Sequence, residues 1–375
     1  MIFLSILIML VYSILILFLN NGFSKIHEFI SADKANKNTF SIIIPFRNEA
    51  QNLPYLLKSI SKLRYSNSLF EVLLINDAST DNFKGIISRF QLKNPTIHLQ
   101  VISNIIKSNS PKKDAIEIGI KIAKNEWIIT TDADCILPVN WLKTLDAFIQ
   151  KENPKMVVAP VIFQSENSFL NRFQILDFLS LQGSTIGGFG INKPFLCNGA
   201  NLCYQKVAFA EVNGFSGNKN ITSGDDIFIL EKMHEKFPTQ VLYLKSKEAI
   251  VITKAENNFA DLLQQRIRWA SKTTAYKNPF GKMVGFIVFT TNFYWVALFI
   301  LLLFYKTSWQ HFGLLFLVKF NVDFLLLYKT AAFFKQEKVL KTYLISSVLH
   351  PFFTVIVVFL SFQKKIKWKG RAFKK

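Results

Sequence analysis

The feature that most constrains this chain is the presence of long uncharged stretches near both of its ends. Residues 1–24, 283–305 and 342–363 contain no charged side chain. About 20 helical residues cross a hydrocarbon core of roughly 30 Å, so each stretch is long enough to span a membrane. The sequence therefore predicts an N-terminal membrane anchor over residues 1–24 and further membrane segments within residues 281–363.

A fourth apolar stretch, residues 308–328, is interrupted by Lys319, Asn321 and Asp323. Lys319 and Asp323 are four residues apart, so on a helix they would share one face. Pairing there lowers the free energy needed to bury both charges in a membrane. Two or three C-terminal membrane segments are expected, depending on whether residues 308–328 span or lie at the interface.

The first stretch is expected to be retained as an anchor. It lacks the basic start and the small-residue cleavage site of a signal peptide, and its apolar run is too long for one. Lys25, Lys34 and Lys37 follow it, and basic residues favour the cytoplasmic side of a membrane. We therefore expect residues 25–280 to be a cytoplasmic domain of an integral protein in a bacterial-type inner membrane.

The basic tail, residues 364–375, does not fit this topology simply. It holds seven Lys or Arg residues, and three crossings after the domain would place it outside, against the positive-inside tendency. The loop over residues 329–341 holds four lysines, and its expected cytoplasmic position does fit three crossings. Both topologies stay open from the sequence alone.

The chain is strongly basic, with 45 Lys+Arg against 25 Asp+Glu and a formal net charge of +20. No nucleic-acid motif with interleaved aromatic and glycine residues occurs in the sequence, so the excess is interpreted as serving a membrane surface and phosphate groups. Cys135, Cys197 and Cys203 show no metal-binding spacing and are compatible with a reducing compartment.

Between the anchor and residue 280, short apolar runs alternate with segments of helical spacing. The runs predicted as strands are 40–45, 71–77, 99–103, 126–134 and 155–163. The segments predicted as helices are 49–63, 111–125 and one that starts near Asn82. This alternation predicts an α/β domain with a mostly parallel sheet. Residues 165–220 break the rhythm and are interpreted as an irregular insertion that faces the substrate.

Polar clusters follow three of the predicted strands, at residues 46–49, 76–81 and 132–134. In open parallel sheets, ligands bind outside the carboxyl ends of the strands. The coincidence of three polar clusters at such ends predicts a ligand site there.

Asp132 and Asp134 form the most distinctive of these clusters. Residues i and i+2 of a strand point the same way, so their carboxylates can hold one hard divalent cation such as Mg²⁺ or Mn²⁺. Without a cation, two like charges this close are unfavourable. The alternative is an acidic turn that caps a helix, which a D-x-D pattern alone does not exclude.

Five other residues each have two interpretations. Asp77 is suited either to accept hydrogen bonds from a base or ribose or to cap the following helix. Lys112 and Lys113 either neutralise a diphosphate or form a solvated helix start. Asp225 and Asp226 either include a general base tuned by burial or cap the next helix.

Residues 257–272 have the pattern of a helix with two distinct faces. The apolar stripe consists of Phe259, Leu262, Leu263, Ile267 and Ala270. Gln265, Arg268 and Trp269 share another face, where an indole can stack on a sugar ring and a guanidinium can pair with phosphate oxygens. The alternative is an interfacial helix with Trp and Arg at the headgroup level, and the two interpretations are compatible.

The ordered set of motifs resembles a known family. The matching segments are IIIPFRNEA, NDASTD, PKKDAIEIG, TTDADC, FLCNGANLCY, SGDD and QQRIRW. Together they resemble the membrane-embedded family 2 glycosyltransferases of the GT-A fold, which include cellulose, chitin and hyaluronan synthases and ceramide glucosyltransferases. The resemblance covers about residues 40–272. It implies an α/β, GT-A nucleotide-sugar-binding domain with a mostly parallel sheet, beside the transmembrane helices.

The resemblance also implies roles for individual residues. Those expected to bind the donor are Pro45, Asn48, Glu49, Asp77, Lys112, Asp132, Gln265 and Arg268. Those expected to bind the acceptor are Gly199, Ala200, Asn201 and Trp269. Asp134 and Asp132 would hold Mg²⁺ or Mn²⁺, and Asp226, with Asp225 beside it, would be the catalytic base. The base motif reads GDD where many members have TED or GED, which is closer to hyaluronan synthases.

The function that the resemblance implies is transfer of a sugar from a UDP-sugar, with inversion, to a membrane acceptor. A lipid or lipid-linked acceptor is preferred over processive polysaccharide synthesis, because a polymer channel would need more helices than one anchor and two or three segments supply. A non-catalytic membrane assembly subunit is the rival from another class, and the intact acids Asp77, Asp134 and Asp226 argue against it.

Overall fold

The computed structural model describes residues 2–31, 35–362, 365–368 and 371–374. Lys34 and part of the basic tail lie outside the described residues. The chain divides into two compact units. The α/β unit comprises residues 27–164, 197–254 and 367–375, and the membrane unit comprises residues 1–26, 165–196 and 255–366. The division differs from the predicted boundaries, since residues 165–196 and 255–280 belong with the apolar helices rather than with the α/β domain.

The strands are numbered β1 to β11 in chain order. They are Phe40–Phe46, Phe70–Asn76, His98–Ser103, Trp127–Thr130, Met156–Val158, Val161–Phe163, Leu202–Gln205, Val241–Tyr243, Val251–Thr253, Lys365–Trp368 and Arg371–Lys374. The α-helices are numbered α1 to α12 in the same way. They are Ile2–Lys25, Leu53–Ile60, Phe83–Lys93, Pro111–Ile122, Trp141–Glu152, Phe169–Gly190, Lys206–Glu211, Asp225–Lys236, Phe259–Ser271, Pro279–Leu303, Trp309–Phe334 and Tyr343–Ser361.

The α/β unit is built on a seven-stranded sheet in the order β3-β2-β1-β4-β7-β5-β8. Strand β7 runs antiparallel to β4 and β5, and the other pairs are parallel. Ile42, Ile43 and Ile44 in β1 are all fully buried. A strand covered on both faces needs such a continuous apolar run, and this is why β1 lies inside the parallel part of the sheet. The predicted α/β fold with a mostly parallel sheet is confirmed.

Two strand predictions need correction. The run 126–134 ends as a strand at Thr130, and the D-A-D residues lie in the turn that follows. The run 155–163 is two strands, because Pro160 has no N–H to continue the ladder. Its first half, β5, joins the main sheet, whereas β6 pairs with β9 in a separate two-stranded sheet.

The interpretation of residues 165–220 as irregular was wrong for its first part, which forms the 22-residue helix α6. The side chain of Ser168 caps it by accepting a hydrogen bond from Asn171 N at 3.1 Å. Its glycines suggest irregular structure in the sequence, but in the fold they allow close packing. A Cβ on Gly187 would collide with the carbonyl of Leu19, so the small residue lets α6 and α1 approach backbone to backbone.

Among the described residues of the membrane unit, four helical segments are long and apolar enough to cross a bilayer. They are Ile2–Lys25, Pro279–Leu303, Trp309–Phe334 and Glu337–Ser361. One is N-terminal and three are C-terminal, so the stretch over residues 308–328 is part of a continuous 26-residue helix, α11. The predicted pair is present there, with Lys319 Nζ at 2.6 Å from Asp323 Oδ2. The orientation of these helices and the side on which the tail lies stay predictions.

Helix α9 lies in the membrane unit and buries the predicted apolar stripe only in part. Leu262 is fully buried and packs in a cluster with Phe173 of α6 and with Phe353 and Val357 of α12. Phe259, at the start of the stripe, is 55% exposed.

Candidate active site

The loops that follow β1 and β2 interlock at the carboxyl edge of the sheet. Arg47 Nη1 donates to the carbonyl of Asp77 at 2.7 Å, and Asn48 Oδ1 accepts from Thr80 N at 2.8 Å. Asn48 and Ala78 have positive φ angles of 52° and 53°. Non-glycine residues adopt this conformation only where the surroundings enforce it, and such positions concentrate at functional sites.

Asp77 lies within this network and is only 5% exposed. Asn104, which follows β3, donates from Nδ2 to Asp77 Oδ1 at 3.1 Å and to the carbonyl of Pro111 at 3.0 Å. Asp77 therefore does not cap the following helix, whose N-cap residue is Asn82. The side-chain oxygen of Asn104, Oδ1, is buried and has no hydrogen-bond partner among the described residues.

Glu49 and Pro45 complete the β1 side of the edge. Glu49 is buried, its Oε2 accepts from Asn52 Nδ2 at 2.6 Å, and its carbonyl accepts from Leu53 N at 2.9 Å. Glu49 thus shapes the entry into α2. Pro45 pairs in register with Ile75 of β2, which places it one strand position before the interlocked loops.

Asp132 and Asp134 lie in the turn after β4, closed by a hydrogen bond from Cys135 N to the carbonyl of Asp132 at 3.2 Å. Asp134 Oδ2 accepts from Thr253 Oγ1 at 3.0 Å. Burial, together with the neighbouring charge of Asp132, raises the pKa of Asp134 to about 6. A carboxylate that is destabilised in this way gains from a nearby cation.

Lys112, in the first turn of α4, supplies one such cation. Its Nζ lies 2.8 Å from Asp132 Oδ1 and 3.2 Å from Asp225 Oδ2. Burial alone lowers the pKa of Lys112, but the two carboxylates outweigh it and hold the pKa well above its usual range. The residue therefore stays protonated and bridges two segments that are far apart in sequence.

Asp225 and Asp226 occupy the first turn of α8, where the helix dipole favours negative charge. The N-cap position itself is held by Gly224, whose φ of 83° suits glycine. Asp226 is partly exposed and its Oδ1 accepts from the adjacent Ile227 N at 2.8 Å. Asp225 is 9% exposed and carries the ion pair to Lys112.

Gly199 lies directly against these groups. A Cβ added there would lie 3.0 Å from Asp225 Oδ2 and 3.6 Å from Lys112 Nζ. Its carbonyl accepts from Thr130 Oγ1, at the end of β4, at 2.9 Å. The G-A-N segment, the D-A-D turn and the G-D-D turn therefore meet at one place in the α/β unit.

Ala200 and Asn201, the other two residues of the G-A-N segment, are also buried. The side chain of Asn201 is engaged by the scaffold. Its Nδ2 donates to the carbonyls of Pro160 and Ala249 at 2.8 Å, and its Oδ1 accepts from Trp141 Nε1 at 3.0 Å. The predicted acceptor role of these two residues stays a prediction, and for Asn201 the contacts indicate a scaffold function as well.

In the membrane unit, α9 presents a second set of predicted residues. Gln265 Nε2 donates to Glu256 Oε1 at 2.7 Å. The guanidinium carbon of Arg266 lies 4.2 Å from the centroid of the Trp269 ring, a cation–π contact. Burial and the charge of Asp261 raise the pKa of Glu256, and Arg268 opposes that shift.

Arg266 is 5% exposed and anchors this helix. Its Nε lies 2.7 Å from Asp177 Oδ2 on α6, and the other oxygen of Asp177 lies 3.0 Å from His350 Nε2 on α12. Burial alone raises the pKa of Asp177, but Arg266 and His350 together outweigh it and hold that pKa well below its usual range. Three helices are thus tied together beside Trp269.

A divalent cation fits the Asp132–Asp134 pair chemically. Carboxylate oxygens are the ligands that Mg²⁺ and Mn²⁺ prefer, and burial together with the charge of Asp132 makes the charged form of Asp134 unfavourable without a cation. Within the described ranges no group of three or more His, Cys, Asp or Glu side chains is suited to hold a metal. Among the described residues, a cation at this pair would therefore need ligands other than a third His, Cys, Asp or Glu side chain.

Four contributing residues were not assigned from the sequence: Arg47, Asn104, Asp177 and Arg266. Arg47 lies inside a predicted polar cluster, and Arg266 lies inside the QQRIRW segment, so both carried a local signal. Asn104 and Asp177 carried none, because their partners are distant in sequence.

Comparison with protein families identifies the chain. The family described as "Glycosyl transferase family 2" matches residues 41–210. The family described as "Glycosyl transferase family group 2" matches residues 127–327, which is 201 of the 375 residues.

Similar proteins agree with this assignment. The poly-beta-1,6-N-acetyl-D-glucosamine synthase of Staphylococcus epidermidis is 26% identical over 238 residues, covering 61% of this chain and 53% of that protein. The synthase of the same name from Staphylococcus aureus strain COL is 25% identical over 252 residues, covering 64% and 55%. The chain thus spans about half the length of the curated relatives that it matches.

A solved structure with a similar fold is the mannosyltransferase PcManGT from Pyrobaculum calidifontis, in complex with GDP-Man and Mn²⁺. It has a TM-score of 0.59 at 15% identity and covers 93% of this chain and 95% of that one. At this identity the likeness concerns the fold alone. The family match over more than half of its length establishes that the chain belongs to the family 2 glycosyltransferases.

Proposed function

We propose that this chain is a membrane-bound inverting glycosyltransferase that moves a sugar from a UDP-sugar to a lipid or lipid-linked acceptor. The observation that carries the proposal is the bridge made by Lys112, which holds Asp132 and Asp225 together. A departing diphosphate needs positive charge beside it, and an attacking hydroxyl needs a base. The turns that Lys112 joins contain groups for both tasks.

In the proposed reaction, an acceptor hydroxyl oxygen attacks the anomeric carbon of the donor sugar. The bond from that carbon to the diphosphate oxygen breaks as the new bond forms, and the diphosphate leaves with the electron pair. Asp226, partly exposed at the start of α8, takes the hydroxyl proton. A single displacement from the opposite face inverts the anomeric configuration, so an α-linked donor gives a β-linked product.

Asp134 and Asp132 would hold a Mg²⁺ or Mn²⁺ ion. When bound, such an ion supplies positive charge that stabilises the leaving group. Lys112 adds a second, permanent positive charge, since its carboxylate partners keep it protonated.

Asp77 would accept a hydrogen bond from the base or ribose of the nucleotide, with Pro45, Asn48 and Glu49 around it. The contact from Asn104 supports this role, because it fixes the carboxylate of Asp77 before a ligand binds. The donor and acceptor roles of Gln265, Arg268 and Trp269 rest on the resemblance, and the anchoring of α9 through Arg266 supports a site that is held rigid.

Processive synthesis of a β-linked polysaccharide is the second candidate. The similarity to the staphylococcal poly-beta-1,6-N-acetyl-D-glucosamine synthases favours it. Four helices of the described residues are candidates to span a membrane, and a channel for a polymer would need more helices or several copies of the chain.

The test is a donor screen on purified membranes that contain the chain. UDP-glucose, UDP-N-acetylglucosamine, UDP-galactose and GDP-mannose are each supplied with Mg²⁺ or Mn²⁺, and nucleoside diphosphate release is measured. We expect release with one UDP-sugar and its loss in EDTA. Release with GDP-mannose alone would overturn the donor assignment, and release with no donor would count against transfer. The length of the labelled product then separates a single sugar on a lipid from a polymer.

A further inference from the structure

The first turn of α4 carries two adjacent cations, Lys112 and Lys113, at the end of a helix where the dipole disfavours positive charge. Their positions must therefore be stabilised by contacts outside the helix. Lys112 points to Asp132 and Asp225. Lys113 is fully buried, so it is neither a solvated helix start nor a group exposed to a diphosphate.

Two hydrogen bonds join Lys113 to one segment of the chain. Its Nζ donates to the carbonyl of Asn218 at 2.8 Å and to that of Ile221 at 2.9 Å. It also lies 4.7 Å from the ring centroid of Phe228 on α8. A buried ammonium group is tolerated only where such partners replace its water.

That segment, residues 213–224, is here called the base loop, because it leads directly into Asp225 and Asp226. It has no regular secondary structure, and Asn213, Gly214 and Gly217 have positive φ angles. Lys232 of α8 binds it as well, donating to the carbonyls of Gly214 and Ser216 at 2.7 Å. Two contacts tie the base loop to α4, the helix that also carries Lys112: the buried ammonium group of Lys113 and the partly exposed ion pair between Lys219 and Glu117.

We propose that Lys113 is a positioning residue for the transfer reaction: it holds the base loop so that Asp226 and the Lys112 bridge keep their places. Adjacent residues on a helix point about 100° apart. Lys112 and Lys113 therefore reach two different segments from one rigid turn, and release of the base loop would disturb both Asp225 and Asp226. This inference rests on the proposed role of Asp226 as the base.

The test compares Lys113→Met, Lys113→Gln and Lys113→Arg with Lys219→Met. The control removes the partly exposed ion pair between Lys219 and Glu117, which has an Nζ–Oε2 distance of 2.7 Å and reaches the same loop. Hydrogen exchange by mass spectrometry reports on residues 213–224, with β1 and β2 as a check on the fold. Turnover, the KM for the donor and UDP binding are measured on the same full-length preparations.

For Lys113→Met we expect amide exchange in the base loop to rise at least about tenfold while β1 and β2 stay protected. The value of kcat should fall about tenfold or more, with KM and UDP affinity changed less than about threefold. Lys113→Arg should recover part of both losses, and Lys219→Met should change kcat less than about twofold.

The proposal is overturned if the base loop in Lys113→Met exchanges as slowly as in Lys219→Met, or if the loop loosens without a change in kcat. It is also overturned if Lys113→Met and Lys113→Gln both unfold the whole α/β unit, since Lys113 would then support the fold in general. Failure of the proposed base is seen separately, as full turnover in Asp226→Asn, and leaves the exchange result intact.

Discussion

Two lysines of this chain form buried or partly buried ion pairs, and they differ in how their charge is balanced. Lys319, in helix α11, lies 2.6 Å from Asp323 and so has one carboxylate for one ammonium. Lys112, in the α/β unit, is surrounded by several carboxylates, with Asp132 and Asp225 in direct contact. The first arrangement is neutral, whereas the second leaves negative charge in excess.

This difference in charge balance distinguishes the structural ion pair of Lys319 from the candidate ligand site at Lys112. The pair in α11 is complete, since Tyr12 of α1 donates to Asp323 Oδ1 at 2.6 Å and its ring lies 5.2 Å from Lys319 Nζ. Nothing further is needed to bury it. Beside Lys112, burial and then the charge of Asp132 raise the pKa of Asp134 to about 6, so a cation bound there would stabilise its charged form. Substitutions around Lys112 should therefore affect turnover, whereas substitutions of Lys319 or Asp323 should affect stability.

The largest effect is expected from removing the proposed base. Asp226→Asn keeps the shape of the side chain but cannot accept the hydroxyl proton, so turnover should fall about 10³-fold. Asp323→Asn is the matched change in the other region and should leave turnover per folded molecule within about twofold. Nucleoside diphosphate release by purified membranes measures both. More than a tenth of the turnover remaining in Asp226→Asn would show that another group removes the proton.

A smaller loss is expected from Lys112→Met, because it removes the positive charge that joins the two aspartate turns. Turnover should fall about 10²-fold, the size of the effect seen when one preorganised charge-stabilising group is lost. Lys121→Met, on the exposed last turn of the same helix, is the control and should have no effect. Equal turnover in the two variants would contradict the proposed role of Lys112. It would support the alternative interpretation, in which Lys112 is only a charge at the start of the helix.

The contrast between the two lysines also explains what the sequence could predict. The Lys319–Asp323 pair was predicted from its spacing, because helical periodicity fixes which side chains meet within one element. The bounds of β1, β2 and β3 were also predicted to within two residues, because each strand is an apolar run within one element. Helix α6 was missed because its glycines suggest loops unless the helix that packs against them is known.

At the candidate site, local motifs identified Asp132, Asp134, Asp225 and Asp226, but not that Lys112 would join them. That bridge depends on where α4, the D-A-D turn and α8 lie in the fold. For the same reason no role of Asn104 could be predicted from the sequence, since its partner Asp77 follows a neighbouring strand. Spacing predicts contacts within an element, and only the three-dimensional structure supplies those between elements.

In the membrane unit, Lys319→Met should reduce stability rather than turnover. It leaves the carboxylate of Asp323 with Tyr12 as its remaining partner, and polar contacts between membrane helices contribute about 1–2 kcal/mol at most. Thermal unfolding in detergent should show the loss, and the double variant with Asp323→Asn should recover part of it. The control is Lys329→Met, also in α11, which removes an exposed contact with Ser24 of α1. A loss of turnover per folded molecule would mean that the pair has a functional role.

The smallest effect is expected from Gly199→Ala, which tests how tightly the site is packed. The new Cβ would lie 3.0 Å from Asp225 Oδ2, so the carboxylate must move by a few tenths of an ångström and weaken its 3.2 Å contact with Lys112. We expect turnover to fall about threefold to tenfold, with less than about 1 kcal/mol lost in stability. Gly85→Ala in α3 is the control, since its Cβ would make only an ordinary contact at 3.5 Å. If Gly199→Ala changes turnover no more than Gly85→Ala does, Asp225 has room to move, and the distance between Asp225 and Lys112 does not limit the reaction.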